Sequence, residues 1–137
     1  MIIVSGCLAG LECRYNGKSK PNEMVIRLVA EGKAIPVCPE QLGGLPTPRL
    51  PAEIQGNKVI AKDGLDVTDK FNRGAQEALK LAKLAGAKTA ILKAKSPSCG
   101  SNKVYDGSFD GTLVPGDGVF AALCKANGMD VKTEEEV

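Results

Sequence analysis

Short β-branched runs alternate along this chain with stretches of helical periodicity, and this alternation narrows the fold more than any other feature. Ile2-Ile3-Val4, Ala34-Ile35-Pro36-Val37 and Thr89-Ala90-Ile91-Leu92 read as buried strands. The stretches between them are long enough to hold crossover helices, so the strands are expected to run parallel. The predicted class is α/β: a small, mainly parallel sheet flanked by helices, three-layered and Rossmann-like, with a small β-hairpin insertion. A cysteine follows each run, at Cys7, Cys38 and Cys99. The carboxyl ends of parallel strands converge on one crevice, where ligands bind. Three thiols brought there from distant positions suggest a shared metal centre, one ligand short of a closed four-ligand site.

The segments between the strands can be placed in turn. Asn22 is a candidate N-cap for a helix whose apolar stripe is Met24, Val25, Leu28 and Val29, closed by Gly32. Pro39 ends the second strand and disfavours continuation as a helix, which presents Cys38 at a corner. Residues 41–51, dense in Gly and Pro, read as a shaped loop, and residues 53–60 as a hairpin around Gly56-Asn57. Asp66 or Thr68 caps the longest predicted helix, residues 69–84, which Gly86 stops. A polar loop with turns at Asp106-Gly107 and Asp110-Gly111 precedes the last helix, whose apolar face carries Val119, Phe120, Leu123 and Cys124. Residues 129–132 form a final strand, and Glu134-Glu135-Glu136 a solvated tail. With no repeat or linker, residues 1–137 are expected to form a single domain.

Composition removes several functional classes. A net charge of +2 gives no field for nucleic acid or anionic lipid, and 4% aromatic content without Trp argues against base-stacking platforms. The first residues lack the basic and long apolar regions of a signal peptide, and no apolar run approaches the roughly 18–20 residues that span a bilayer. The expected compartment is therefore the cytoplasm, where thiols stay reduced. Five cysteines at irregular spacing then read as metal ligands or reactive thiols, not disulfides. Histidine is absent, which excludes His-ligated zinc, Ser-His-Asp triads and imidazole acid–base catalysis. No glycine spacing matches a phosphate loop or dinucleotide fingerprint.

The remaining polar chemistry clusters around the same cysteines. Ser96-Pro97-Ser98-Cys99-Gly100-Ser101 is a tight turn rich in N–H donors, suited to stabilising a thiolate or cluster sulfide. Glu40, two residues beyond Cys38, is the best-placed carboxylate for proton transfer. Cys13 could reach the same centre as a fourth ligand, whereas Cys124 falls on a helical apolar stripe and reads as core. Arg49, on a proline-stiffened segment, could clamp an anionic substrate or make a structural salt bridge, and Arg14 and Tyr15 are equally ambiguous.

These segments resemble the thiouracil desulfidase family. The resemblance lies in Val4–Gly10 with Cys13–Gly17, in Pro36–Arg49, in Lys95–Gly100 and in Gly111–Val119, and so extends over essentially the whole chain. Larger relatives add a second domain, which is not expected in this chain. The resemblance implies a 4Fe-4S cluster held by Cys7, Cys38 and Cys99, with the fourth iron free of any protein ligand. It also implies non-redox removal of sulfur from a thiocarbonyl such as 2-thiouracil, giving uracil and sulfide, with Glu40 and Ser96 as the catalytic residues. Gly6 and Asn16 stand where the family pattern leads one to expect Ala and Asp; this bears on substrate range more than on cluster binding. The expected partner is a small thiolated pyrimidine or related thioamide. Two other classes fit the residues themselves: a sulfur carrier or cluster-delivery protein, and a structural zinc domain completed by Cys13.

Overall fold

The computed structural model describes residues 1–137. A four-stranded sheet in the order β2-β1-β5-β8 forms its centre, with every neighbouring pair parallel. Its strands are β1 (Ile2–Ser5), β2 (Ala34–Val37), β5 (Thr89–Leu92) and β8 (Asp130–Thr133). Side chains alternate across the sheet as a period of two requires. Ile3, Ala90 and Leu92 pack with α3 (Thr68–Leu84) and α4 (Val119–Ala126) on one face. Val4 and Ile91 pack with α1 (Glu23–Ala30) on the other. The three-layer α/β prediction is correct.

The chain leaves β1 for β2 on one side and returns to β5 on the other. That reversal opens a crevice at the carboxyl ends of β1 and β5. Asn22 caps α1 as predicted, its side chain accepting from the Val25 amide at 3.1 Å, and Gly32 turns the chain with a φ of 73°. On that helix Val25 is fully buried while Met24 is exposed, so the apolar stripe is narrower than the sequence suggests. The predicted hairpin is β3 (Ala52–Gln55) with β4 (Lys58–Ala61). Asp66 accepts from the Thr68 amide at 2.9 Å at the start of α3. Cys124 is core, with no exposed surface.

Three expectations are corrected. Pro39 does not forbid a helix. It starts one, the short α2 (Pro39–Leu42), because the first helical position needs no N–H and favours the φ of proline. The polar loop before the last helix contains a two-stranded antiparallel ribbon, β6 (Lys103–Tyr105) with β7 (Leu113–Pro115), whose strands are too short to carry a periodic signal. The acidic tail is not wholly solvated: β8 runs on to Thr133, and the Glu134 side chain folds back against the end of β5.

Helices α2 and α3 meet main chain to main chain. A Cβ on Gly74 would collide with the Pro39 carbonyl, and one on Gly43 with the Lys70 carbonyl. Only paired glycines allow α2, with Cys38 and Glu40 at its start, to sit this close to the longest helix. Gly74→Ala is therefore expected to lower stability by about 1–3 kcal/mol through overpacking. Denaturant unfolding beside an exposed control such as Lys80→Ala checks this, and equal midpoints would refute it.

Candidate metal centre

Each cysteine owes its position to the local fold at a strand end. After Ser5 the chain tightens into a 3-10 turn, Gly6–Ala9, that carries Cys7. The Cys7 carbonyl accepts from the Gly10 amide at 3.2 Å and the Lys20 amide at 2.9 Å, which fixes the loop. Cys38 is the last extended residue of β2's exit and the N-cap position of α2. Cys99 sits in the turn that follows β5, where the Ser96 hydroxyl oxygen accepts from the amides of Ser98 (3.1 Å) and Cys99 (3.0 Å). Gly118, at the start of α4, backs this turn so closely that a Cβ there would collide with the Ser98 carbonyl.

Cys7, Cys38 and Cys99 line one cavity of about 640 Å³, together with Cys13, Glu40, Ser96, Arg49 and Lys93. All the predicted site residues are thus brought together. The cysteines are free; Cys99 feels the charge of both Cys7 and Cys38, and Cys7 that of Cys38. Burial pushes the Cys7 thiol up to about 11, partly opposed by Lys93 and Arg14. Burial also raises Cys99, against a hydrogen bond from Ser5. Cys38 goes the other way: the Cys13 thiol and the Gln41 amide stabilise its thiolate and hold it below the ordinary thiol value. When protonated, Cys38 can instead donate to the Cys13 carbonyl at 3.7 Å.

This donor set fits an iron–sulfur cluster better than a single ion. Buried thiols that resist ionisation need a strong positive centre to become ligands. No three Cys, Asp or Glu side chains converge closely enough to grip one metal ion, as a closed zinc site would demand. An iron–sulfur cluster would instead draw on thiols spread around a cavity. Cys13 contributes differently: its thiol serves Cys38, and its carbonyl accepts from Arg49 Nη2 at 2.9 Å.

The carboxylate of Glu40 lies beside this thiol group. It is largely buried and accepts from Arg49 Nε at 3.2 Å. Burial raises its pKa despite the opposing attraction of the guanidinium. Arg49 also donates to the Pro46 carbonyl (3.1 Å) and the Thr47 hydroxyl (2.9 Å). All three of its nitrogens are engaged, so of the two roles open in the sequence the structure assigns it the salt bridge. Arg14 lies over the Tyr15 ring, 5.8 Å from its centroid, at the cavity wall.

Three lining residues, Ser5, Lys93 and Glu134, escape the sequence reading. Ser5 accepts from the Lys93 amide at 2.8 Å, linking the ends of β1 and β5. Lys93 Nζ pairs with Glu134 at 3.0 Å, and the other Glu134 oxygen accepts from the Ala94 amide at 2.7 Å. The strand-end rule that singled out the cysteines applies equally to Ser5 and Lys93. Nothing in the sequence marks Glu134, which looks like one of three solvated glutamates.

Known proteins of similar sequence and fold place the chain in a family. The family model described as 2-thiouracil desulfurase matches residues 2–136. The uncharacterized protein YbbK of Bacillus subtilis (strain 168) is 46% identical over 147 residues, covering 100% of this chain and 97% of that protein. A solved structure, that of the 4Fe-4S-dependent thiouracil desulfidase TudS, is 48% identical with a TM-score of 0.95, covering 99% of this chain and 91% of the other. With its whole sheet and all three cysteine loops inside the matched span, the chain belongs to the 2-thiouracil desulfurase family of iron–sulfur enzymes.

Proposed function

We propose that this chain, acting as a single domain, removes sulfur from a small thiocarbonyl compound such as 2-thiouracil, releasing uracil and sulfide without net redox change. In this reading Cys7, Cys38 and Cys99 hold a 4Fe-4S cluster whose fourth iron has no protein ligand. The observation that carries it is the placement of these thiols around one cavity with a buried carboxylate at its wall. When bound, the cluster would supply a thiophilic Lewis acid for the substrate's sulfur.

The chain's own residues have separate tasks. Glu40 takes a proton from the water that attacks the thiocarbonyl carbon; burial makes its carboxylate a stronger base than an exposed one. Arg49 holds that carboxylate in place through a nearly buried hydrogen bond. The Ser96 oxygen already accepts two amides, which leaves its O–H to donate into the cavity, toward a ring heteroatom or developing charge. Lys93, pinned by Glu134, offsets negative charge gathered near Cys7. Five unpaired thiols suit a reducing, cytoplasmic setting. No helix is long and apolar enough to cross a membrane.

Anaerobic purification is expected to give a brown protein with broad absorbance near about 400 nm. Mixing it with 2-thiouracil should bleach the thiocarbonyl ultraviolet band and release one sulfide for each uracil formed. A coloured protein that holds or passes on sulfide without turnover would indicate a carrier instead. Cys99→Ala should lose bound iron, and a full iron complement in that variant would sink the three-ligand scheme. Glu40→Gln should keep its iron while its rate falls on the order of 10²–10⁴-fold. An undiminished rate would remove Glu40 from the mechanism.

A further inference from the structure

The five aromatic side chains of this chain divide into two groups. Phe71 and Phe120 are core residues, 1% and 0% exposed. Tyr15, Tyr105 and Phe109 all line the cavity that holds the cysteines and Glu40. Core packing does not account for three rings left partly exposed around one cavity. A flat heteroaromatic ligand does, because it gains from offset stacking and edge contacts that an open-chain ligand cannot make.

Phe109 is held there against its own preference. It lies between β6 and β7 with a φ of 60°, the left-handed region that bulky residues avoid. Glu53 on β3 holds this conformation: one carboxylate oxygen accepts from the Gly107 amide at 2.9 Å and the Phe109 amide at 3.1 Å. Gln55 adds a hydrogen bond to the Gly107 carbonyl at 2.8 Å. Gly107, with a φ of 96°, lies so close to β3 that a Cβ would come within 2.8 Å of the Ile54 carbonyl. The hairpin insertion thus acts as a clamp on the segment that bears Phe109.

We infer that Phe109 is a specificity-determining wall that selects planar heteroaromatic thiocarbonyls over open-chain thioamides, and that Glu53 is the positioning residue that holds it over the cavity. The inference rests on the desulfuration proposed above and adds the residues that select its substrate. Asn tolerates left-handed backbone, so Phe109→Asn removes the ring while sparing the loop.

The test uses cluster-loaded protein under anaerobic conditions, with KM and kcat for 2-thiouracil and amide hydrogen exchange at positions 107 and 109. Phe109→Asn should raise KM about ten-fold, far more than it lowers kcat. Glu53→Ala should raise KM similarly and speed exchange at both amides. Glu53→Gln, which keeps an acceptor oxygen, should restore both. An unchanged KM in Phe109→Asn overturns the inference, as does a higher KM in Glu53→Ala without faster exchange. A wild-type protein that turns over no thiolated pyrimidine would defeat the proposed function and this inference together. An active wild type indifferent to Phe109 would defeat the inference alone.

Discussion

The central position of β1 is the constraint on which the rest depends. Hydrogen-bonded in parallel to β2 on one side and β5 on the other, it brings the exits of three strands side by side although they lie far apart in sequence. A sheet that placed β1 at an edge would keep the same cysteines and separate them. The site is in this sense a property of strand order, and each loop needs only to place one residue a short distance past its strand. The hydrophobic pattern of Ile3 and Val4, one facing α3 and α4 and the other α1, fixes the register, because a slip by one residue would turn both side chains to the wrong layer.

Arg49 adds a second level of organisation. Its guanidinium joins the loop of Cys13, the start of α2 and its own proline-rich segment through hydrogen bonds to Cys13, Glu40, Pro46 and Thr47. A charged group nearly excluded from water is costly unless each donor has a partner, and here each nitrogen does. The cation also acts twice on one neighbourhood, holding the Cys13 loop and moderating the charge of Glu40. Opposed effects of burial and pairing leave that carboxylate more basic than usual yet fixed in orientation.

Much of this was legible in the sequence, and the parts that were not share a physical cause. Strands, helices and cysteine corners declare themselves through local periodicity and through Pro and Gly, so the α/β architecture and the gathering of Cys7, Cys38, Cys99, Glu40 and Ser96 could be read in advance. The ribbon β6–β7 could not, since three residues per strand carry no period. Pro39 is ambiguous in the sequence because proline both breaks a helix interior and suits a helix start, and only the following residues decide between them. Glu134 was invisible because its partners, Lys93 and the Ala94 amide, lie about forty residues away along the chain. Long-range polar contacts leave no local signature.

The contact between Gly43 and Gly74 has a consequence for how precisely the centre is held. Glycine within a helix is weaker than alanine by about 1 kcal/mol, so position 74 looks like a flaw in an otherwise strong helix. What it provides is a joint without rotamers. Where side chains separate two helices, their spacing shifts whenever those side chains repack, but here carbonyl meets α-carbon and nothing intervenes to rearrange. The start of α2 is therefore indexed to the backbone of α3 itself. Substitutions on the outer face of that long helix can alter its charge and solubility while the thiol of Cys38 and the carboxylate of Glu40 keep their places.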